Sequence, residues 1–567
     1  MTVFRGNRRV DTVVSIDGIY EGVGYGPNGK LWNDRSSQLF EGGWHHSRRG
    51  CIYAGWLQPP PQTDGNGGEP ASGTQPVDSI AWDEEYDVVV VGAGIAGCAT
   101  AMTVASEGNG ATCLLVEKDV QPNGNSPFCQ GSVMGSEDRS ITLEYLRKLT
   151  GDDTPDDVLT AFADELAENY NFLINLGANP EDLYVINNIP AVSSEYPEFN
   201  MDNAYTNVLF TGAAGGPTHV LTFLLDQVKS SEAVTYQTST PFEALVQDSA
   251  TGEVLGIVAK GKNIRAKGGV VMCCGGFESN QDMIATYTGV RGAHGLAGIG
   301  NTGDGITACL NAGAGQWHMS SGAMFLMACR DLEDTKYLSQ VWHFNNKGHG
   351  ITVGINGRRF YNDWDGCSIP SPMDQMPYAE PGANLSETVT YRHGLTQYGG
   401  DMTHLCVPER AWYIYDANGL AAGAIPSDLS ADPVADGWAY TADTLEDLAA
   451  KIDVPAEELA RTVAGWNASV EAGFDAAFYR WESSMEPVAT PPFYATLCVP
   501  TMLNTDGGPI RSAKAEVCTE EGEPIPGLFS AGEFGSVWGH LYQGGGNLGE
   551  CCAFGRIAAR SAMSRLS

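Results

Sequence analysis

The chain is poor in positive charge: 32 lysines and arginines stand against 69 aspartates and glutamates, a formal net charge of −37 over 567 residues. A surface so acidic repels nucleic acid and anionic membranes, and its simplest consequence is solubility. No run of roughly 18 apolar residues occurs, so no membrane-spanning helix is expected. Arg8 and Arg9 are followed by V-D-T-V-V-S, where Asp11 interrupts any hydrophobic region. No export signal is expected, and a cytoplasmic location follows as the expectation. The 14 cysteines include no C-x-x-C and no C-x-x-C-H, which argues against a zinc knuckle or attached haem. Reduced, buried thiols are the reading, with the vicinal pairs Cys273-Cys274 and Cys551-Cys552 serving packing. His45, His46 and Cys51 lack further spaced ligands, so no metal is expected.

What the chain does have is organised around the stretch from Asp87 to Glu117. Val88 to Val91 form an unbroken apolar run, the pattern of a strand buried on both faces in a parallel sheet. A glycine-rich turn follows at once. Gly92 permits the turn, Gly94 lets the backbone approach a pyrophosphate, and Gly97 lets the next helix pack close to the strand. That helix opens at Ile95 and Ala96, with its N-terminus facing the anion. A second strand, Thr112 to Val116, ends in Glu117, a carboxylate placed to accept hydrogen bonds from a ribose. Strand, turn, helix and acid in this order predict a dinucleotide site.

In chain order, residues 1–81 read as an N-terminal arm, with strand-like alternation from Thr12 to Ile16 and Ile19 to Tyr25. The stretch from Pro59 to Gln75 reads as a linker by composition. The arm suits packing on the main body or joining a second copy as a homo-oligomer. Helical spacing runs from Asp152 to Leu176 and from Val220 to Val228, with a loop-like segment from Asp182 to Tyr205. Strands from Val234 to Val270 surround a hairpin tip at Ser249 to Gly252. Further on, N-G-R-R-F (Asn356 to Phe360) reads as a strand, turn and strand. W-Y-I-Y-D is a strand, and Thr444 to Ala472 is helical. The fold class is α/β.

Two segments say which dinucleotide. P-N-G-N-S-P-F-C-Q-G follows the ribose acid, and G-L-F-S-A-G-E-F-G-S-V-W-G-H-L-Y-Q-G-G-G-N-L-G lies near the C-terminus. They resemble the FAD contacts of the flavoprotein family that contains soluble fumarate reductases and 3-ketosteroid dehydrogenases. The resemblance implies a Rossmann-like FAD-binding domain, discontinuous in sequence (82–330 and 501–567), with an inserted α+β capping domain over 331–500. It implies FAD contacts at Glu117, Lys118, Asn125, Ser126 and Gly131. Its C-C-G-G and G-N-T-G-D-G-I turns add Gly275, Gly303 and Asp304. The A-G-E segment adds Gly532 and Glu533, and the closing turn adds Asn547 and Leu548.

The same resemblance bears on chemistry. Dicarboxylate members clamp substrate with cations at three positions that here read Gln543, Asn504 and Cys367. An uncharged pocket cannot pay for desolvating a dicarboxylate, so fumarate reduction is not expected. Gly539 to Asn547 resembles the G-H-x-Y-x-G-x-G of ketosteroid dehydrogenases, which implies that Tyr542 and the Gly546 amide bind one carbonyl oxygen. Two donors aimed at an oxygen that gains charge form an oxyanion hole and acidify the adjacent carbon. The family's proton-carrying tyrosine is absent, since Gly366 and Cys367 stand at its place. Tyr196, Tyr361 and Tyr494 are the candidates for that role. Tyrosine titrates near roughly 10, which favours an acid in the reductive direction. His540 reads as a packing residue.

The expected activity is FAD-dependent desaturation or reduction of a C–C bond next to a carbonyl, on a neutral, apolar, steroid-like ketone. One alternative is an ene-reductase for an aryl-acrylate-type monoacid, needing a pocket cation from Arg358, Arg359, Arg392 or Arg511. Another is an electron-transfer subunit docking through the N-terminal arm. No second dinucleotide fingerprint is present, and the sequence leaves the electron donor or acceptor open.

Overall fold

The computed structural model describes residues 74–75, 80–129, 131–191, 194, 196, 199–210, 219–296, 298–330, 349–363, 400–402, 408–425, 430–480 and 482–566. The expected strands at 12–16 and 19–25, His45, His46, Cys51, Gly366, Cys367 and Arg392 lie outside these residues.

The valine run becomes the strand Glu84–Val91, flanked in parallel by Cys113–Val116 and Lys262–Met272. Val88 and Val90 enter one hydrophobic cluster, and Val89 and Val91 enter another on the opposite face. Strand side chains alternate, so a sheet covered on both sides needs an apolar residue at every position. One cover is the helix Ile95–Glu107, which packs against the C-terminal helix Gly546–Met563.

This nine-stranded sheet draws on distant parts of the chain. Pro524–Ser530 pairs in parallel with Lys262–Met272, so the C-terminal segment joins the sheet built by the first fingerprint. The expected hairpin appears as Phe242–Asp248 with Val254–Ala259. Thr74 and Gln75, assigned by composition to the linker, instead pair in parallel with Gln247 and Asp248. An edge position needs only backbone pairing, which composition does not reveal.

The expected helical stretch at 152–176 is two helices, Asp156–Leu166 and Asn169–Asn175, and a further helix precedes them at Arg139–Thr150. The segment read as a loop from residue 182 contains a strand, Leu183–Ile186, in a three-stranded sheet with Thr206–Phe210 and Val133–Gly135. Leu183, Tyr184, Val185 and Ile186 show no apolar–polar alternation, so periodicity does not set them apart from the surrounding loop.

A seven-stranded sheet is built around Phe493–Thr505, which pairs antiparallel with Ser321–Ala328 on one side and Ala411–Tyr415 on the other. Its strands therefore reach beyond the expected 331–500 insert at both ends. The helices Leu445–Ile452 and Ala456–Ala472 cover it through Leu448, Leu459, Val463 and Trp466. At N-G-R-R-F the turn forms, with the Gly354 N–H donating to the Arg358 carbonyl at 2.9 Å. The second arm is not a strand. Arg359 is drawn instead into a buried cluster with Asp475 (2.9 Å) and Asp363 (3.2 Å), and Arg480 joins it at Asp363 (2.9 Å).

Candidate active site

The two central parallel strands end at a cleft of about 890 Å³, counted together with the solvent open to it. Parallel sheets bind ligands beyond the carboxyl ends of their strands, and the register explains why here. Val91 lies opposite Val116, so the Gly92 turn and Glu117 leave the sheet side by side. Gly92, Gly94, Ile95 and Ala96 line the cleft from the turn and helix, and Glu117 and Lys118 from the second strand. Asn125, Ser126, Gly275, Gly303, Asp304 and Glu533 complete the group brought together as expected.

Five predicted contacts are not among the lining residues. Gly97 packs: a Cβ there would stand 1.8 Å from the Gly92 carbonyl oxygen. Gly532 turns the chain at φ +74 where a Cβ would stand 2.8 Å from Ala96 Cβ. Leu548 packs on the core, Gly131 is a positive-φ turn, and Asn547 opens the C-terminal helix behind Gly546.

The lining is held by specific bonds. Glu117 accepts from the amides of Ala93 and Asp119, both at 3.1 Å, while burial pushes its carboxyl above the ordinary value. Ser126 Oγ accepts from the Ile95 amide at 3.1 Å and so occupies one open donor of the helix N-terminus. Burial works against the Asp304 charge, but bonds from Lys118 (2.9 Å) and Thr302 (2.8 Å) hold its carboxyl below the usual range.

Deeper in, Asn125 Nδ2 reaches Glu278 at 2.6 Å and Glu533 at 3.0 Å, and Asn301 Nδ2 also contacts both acids. Burial raises Glu278 to about 7 and Glu533 well above its ordinary value, with the Glu278 charge adding to the rise at Glu533. Glu278 and Asn301 were missed as site residues, although Asn301 lies within the G-N-T-G-D-G-I turn and Glu278 two residues past the C-C-G-G turn. Their role depends on two glycine turns meeting, which neither turn reveals alone. Cys273, Cys274 and Cys551 also line the cleft. Burial pushes these free thiols up, away from thiolate reactivity.

These residues fit FAD. Asn125 Oδ1 is buried without a partner among the described residues. Gly94 leaves open the side where a Cβ would meet only Ser126. Carboxylates stand ready for hydroxyl donors, and a helix N-terminus for phosphates.

Behind the cleft lies an aromatic interior. Tyr542 is 6% exposed and meets Trp538 edge to face, with ring centroids 6.5 Å apart. Gly546 fits under Trp538, since a Cβ would stand 2.4 Å from that ring. The proposed carbonyl-binding amide is committed: Gly546 N–H donates to the Gln543 carbonyl at 2.9 Å, closing a turn. Tyr196 is fully buried, and its hydroxyl donates to the backbone carbonyl of Tyr542 rather than facing a substrate. Tyr361 packs on Phe360, and Tyr494 stacks on Tyr415 within the second sheet. His540 is exposed, not packed.

The described arginines offered for a carboxylate are paired. Arg358 holds Glu458 at 2.6 Å, and Arg359 lies in the buried cluster. Arg511 holds Glu550 at 2.6 Å and donates to the carbonyls of Gly532 (2.8 Å) and Gly535. Gln543 accepts from the Tyr145 hydroxyl. Among the described residues no helix is long and apolar enough to cross a membrane, and no three acidic, His or Cys side chains could hold a metal.

A parallel sheet with a glycine turn, a ribose acid and a second segment returning from the C-terminus defines a dinucleotide-binding flavoprotein. The chain belongs to the FAD binding domain family, whose pattern it matches over residues 87–548, and FAD is its cofactor. It is similar to the 3-oxosteroid 1-dehydrogenase of Mycobacterium tuberculosis, 30% identical over 327 residues. That match covers 52% of this chain and 53% of the relative, so it spans about half the relative's length. Digoxin reductase of Eggerthella lenta is 26% identical over 529 residues, covering 86% of this chain and 89% of that one. Among solved structures, the 3-ketosteroid Δ1-dehydrogenase of Sterolibacterium denitrificans shares the fold with a TM-score of 0.65 at 22% identity. The match covers 85% of this chain and all of that one.

Proposed function

We propose that the protein is an FAD-dependent oxidoreductase that introduces or reduces a C=C double bond next to the carbonyl of a neutral, largely apolar ketone. The observation that carries this reading is a phenol, Tyr542, in a nearly closed aromatic interior, while Arg511, a cation offered for a carboxylate, is already neutralised by Glu550. Bound FAD supplies the hydride acceptor or donor. The chain's own task is to hold the substrate oxygen and keep water out. Tyr542 donates to the carbonyl oxygen as negative charge builds there, which lowers the cost of moving a proton at the adjacent carbon. With the Gly546 amide closing its turn, Tyr542 carries this contact.

The similarity to an oxosteroid dehydrogenase and to a reductase supports the reaction class, and the substrate class is carried by the uncharged interior. The test is an anaerobic titration of reduced and oxidised holoprotein against steroid ketones, cyclic enones and aryl-acrylates, followed by flavin absorbance. Ketones or enones should change the flavin redox state and aryl-acrylates should not. Turnover of aryl-acrylates alone would favour the monoacid reading, for which Arg511 Nη1, without a partner among the described residues, is the available donor.

A further inference from the structure

The end of the Phe493–Thr505 strand connects the cofactor cleft to the Trp538–Tyr542 turn. Thr505 donates to Glu278 at 3.1 Å, and Glu278 is tied through Asn125 to the cleft-lining Glu533. The next residue, Asp506, accepts the Ser536 amide on its backbone carbonyl at 2.8 Å. Its fully buried side chain meets Ser321, and Ser321 in turn meets the Trp538 carbonyl. Along this connection Asn504 Oδ1, Asn547 Oδ1 and Trp538 Nε1 are buried with no partner among the described residues. Native interiors rarely leave such atoms unpaired, so the group marks where a ligand completes the hydrogen bonding.

The direction of each bond follows from counting hydrogens. Ser321 has one hydroxyl hydrogen, and the Trp538 carbonyl at 2.7 Å is a closer acceptor than Asp506 Oδ2 at 3.1 Å. With that hydrogen on Trp538, the Ser321 contact to Asp506 needs its hydrogen from the acid. Asp506 is then the neutral acid, Oδ2–H facing Ser321 and Oδ1 accepting. Burial acts in the same sense, raising this carboxyl well above its ordinary value. Asn504 Nδ2 donates to Asp506 Oδ1 at 2.9 Å, and the Asn547 side chain also hydrogen-bonds Asp506. Asn504 cannot flip without setting its oxygen against an acceptor, so Oδ1 is the atom left to a ligand.

We propose that Asp506 fixes the carboxamide of Asn504 with its oxygen turned to the substrate, where it accepts a hydrogen bond from a substrate hydroxyl group. This rests on the reading that the substrate is a ketone held at Tyr542, and it adds a second polar point of recognition. A carboxylate or second keto group at that point meets an acceptor and is rejected. A hydroxyl satisfies an oxygen that otherwise stays buried and unpaired. Asp506 acts through Asn504 and is a positioning residue.

The test uses holoprotein and matched 3-ketosteroids and cyclohexenones that differ only in one substituent: hydroxyl, hydrogen or keto. Dissociation constants come from the flavin spectral shift, and kcat and KM from turnover. For at least one matched set, the hydroxyl compound should bind at least tenfold tighter than its hydrogen analogue, with the keto compound weakest. Asn504→Ala should shrink that ratio to within about threefold, chiefly in KM. Asp506→Asn keeps one donor toward Ser321 and one acceptor toward Asn504, so it should retain the preference, whereas Asp506→Leu should lose it. Flavin content checks that each variant has folded. Equal binding across every set with turnover intact overturns this inference and leaves the ketone reading standing. Loss of the preference in Asp506→Asn at full flavin content overturns the hydrogen-bond assignment. No ketone binding or turnover at all sinks both.

Discussion

Tyr196 donates its hydroxyl hydrogen to the backbone carbonyl of Tyr542, 346 residues further along the chain. Both residues are buried, so the bond ties the loop before residue 200 to the turn that presents the Tyr542 ring. Two phenols that look alike in sequence thus do different work. Tyr542→Phe should lower kcat/KM about 10²- to 10³-fold, as removal of an oxyanion donor does elsewhere, with stability nearly unchanged. Tyr196→Phe leaves a buried carbonyl without its donor and should cost about 1–3 kcal/mol of stability, with a smaller loss of activity. Steady-state kinetics and urea unfolding on both variants separate the roles. Equal kinetic damage from each would reject the division.

The glycine turn offers a second contrast. At Gly97 a methyl group meets the backbone of Gly92, which cannot move without breaking the strand end. Gly97→Ala should therefore abolish folding or lower the melting temperature steeply. At Gly94 the methyl meets only Ser126 Oγ at 3.0 Å, so Gly94→Ala should fold. It should lose FAD, because the methyl fills the side from which a phosphate approaches the backbone. Circular dichroism with flavin content after gel filtration reads both outcomes.

The same two glycines show what the sequence made legible. Strand, turn, helix and acid are local, with spacings fixed by rises of about 3.3 Å and 1.5 Å, so Gly92, Gly94, Ile95, Ala96 and Glu117 fall in one cleft; the other seven of the twelve predicted contacts found there came from the family resemblance. Contacts between distant segments that the resemblance did not carry were not legible. Glu278 and Asn301 acquire partners only when two separate turns face each other. The Gly546 amide was assigned by motif, yet its hydrogen belongs to a turn whose closure depends on backbone angles. Tyr196 stood among three candidate proton carriers because a tyrosine in a loop gives no sign of which atom its hydroxyl will meet.

Arg511 and Glu550 are the most exacting structural pair. Both side chains are wholly buried, 2.6 Å apart, and Arg511 lies 4.5 Å from the Phe554 ring centroid. Burial opposes both charges, lowering Arg511 and raising Glu550 to about 7. Arg511→Met strands Glu550 and unpins the Gly532 and Gly535 carbonyls, so about 3–5 kcal/mol of stability should be lost. Adding Glu550→Met should recover a large part, because the unpaired acid goes with it. Urea unfolding of both variants measures the difference. No recovery in the double variant would mean that the lost backbone contacts, not the stranded charge, dominate.

Glu278 predicts a pH dependence of definite sign. Burial raises its carboxyl to about 7, from an ordinary 4.5 in the open chain. Between these values the folded protein holds a proton that the unfolded chain has released, so stability falls as pH rises, by up to about 1.4 kcal/mol per pH unit. Its contribution is fully present below about 4.5 and lost above about 7. His294 and His318, both lowered by burial, act in the opposite sense below about 6.5, and Glu550 acts in the same sense as Glu278. The difference between wild type and Glu278→Gln cancels these three contributions and reads Glu278 together with Glu533, whose carboxyl is raised in part by the Glu278 charge and in the same sense. In FAD-free protein, the unfolding free energy of wild type should fall relative to Glu278→Gln as pH goes from 5 to 7, then run parallel above that. Parallel curves throughout would mean that Asn125 and Asn301 keep Glu278 ionised, and with it a full negative charge beside Glu533.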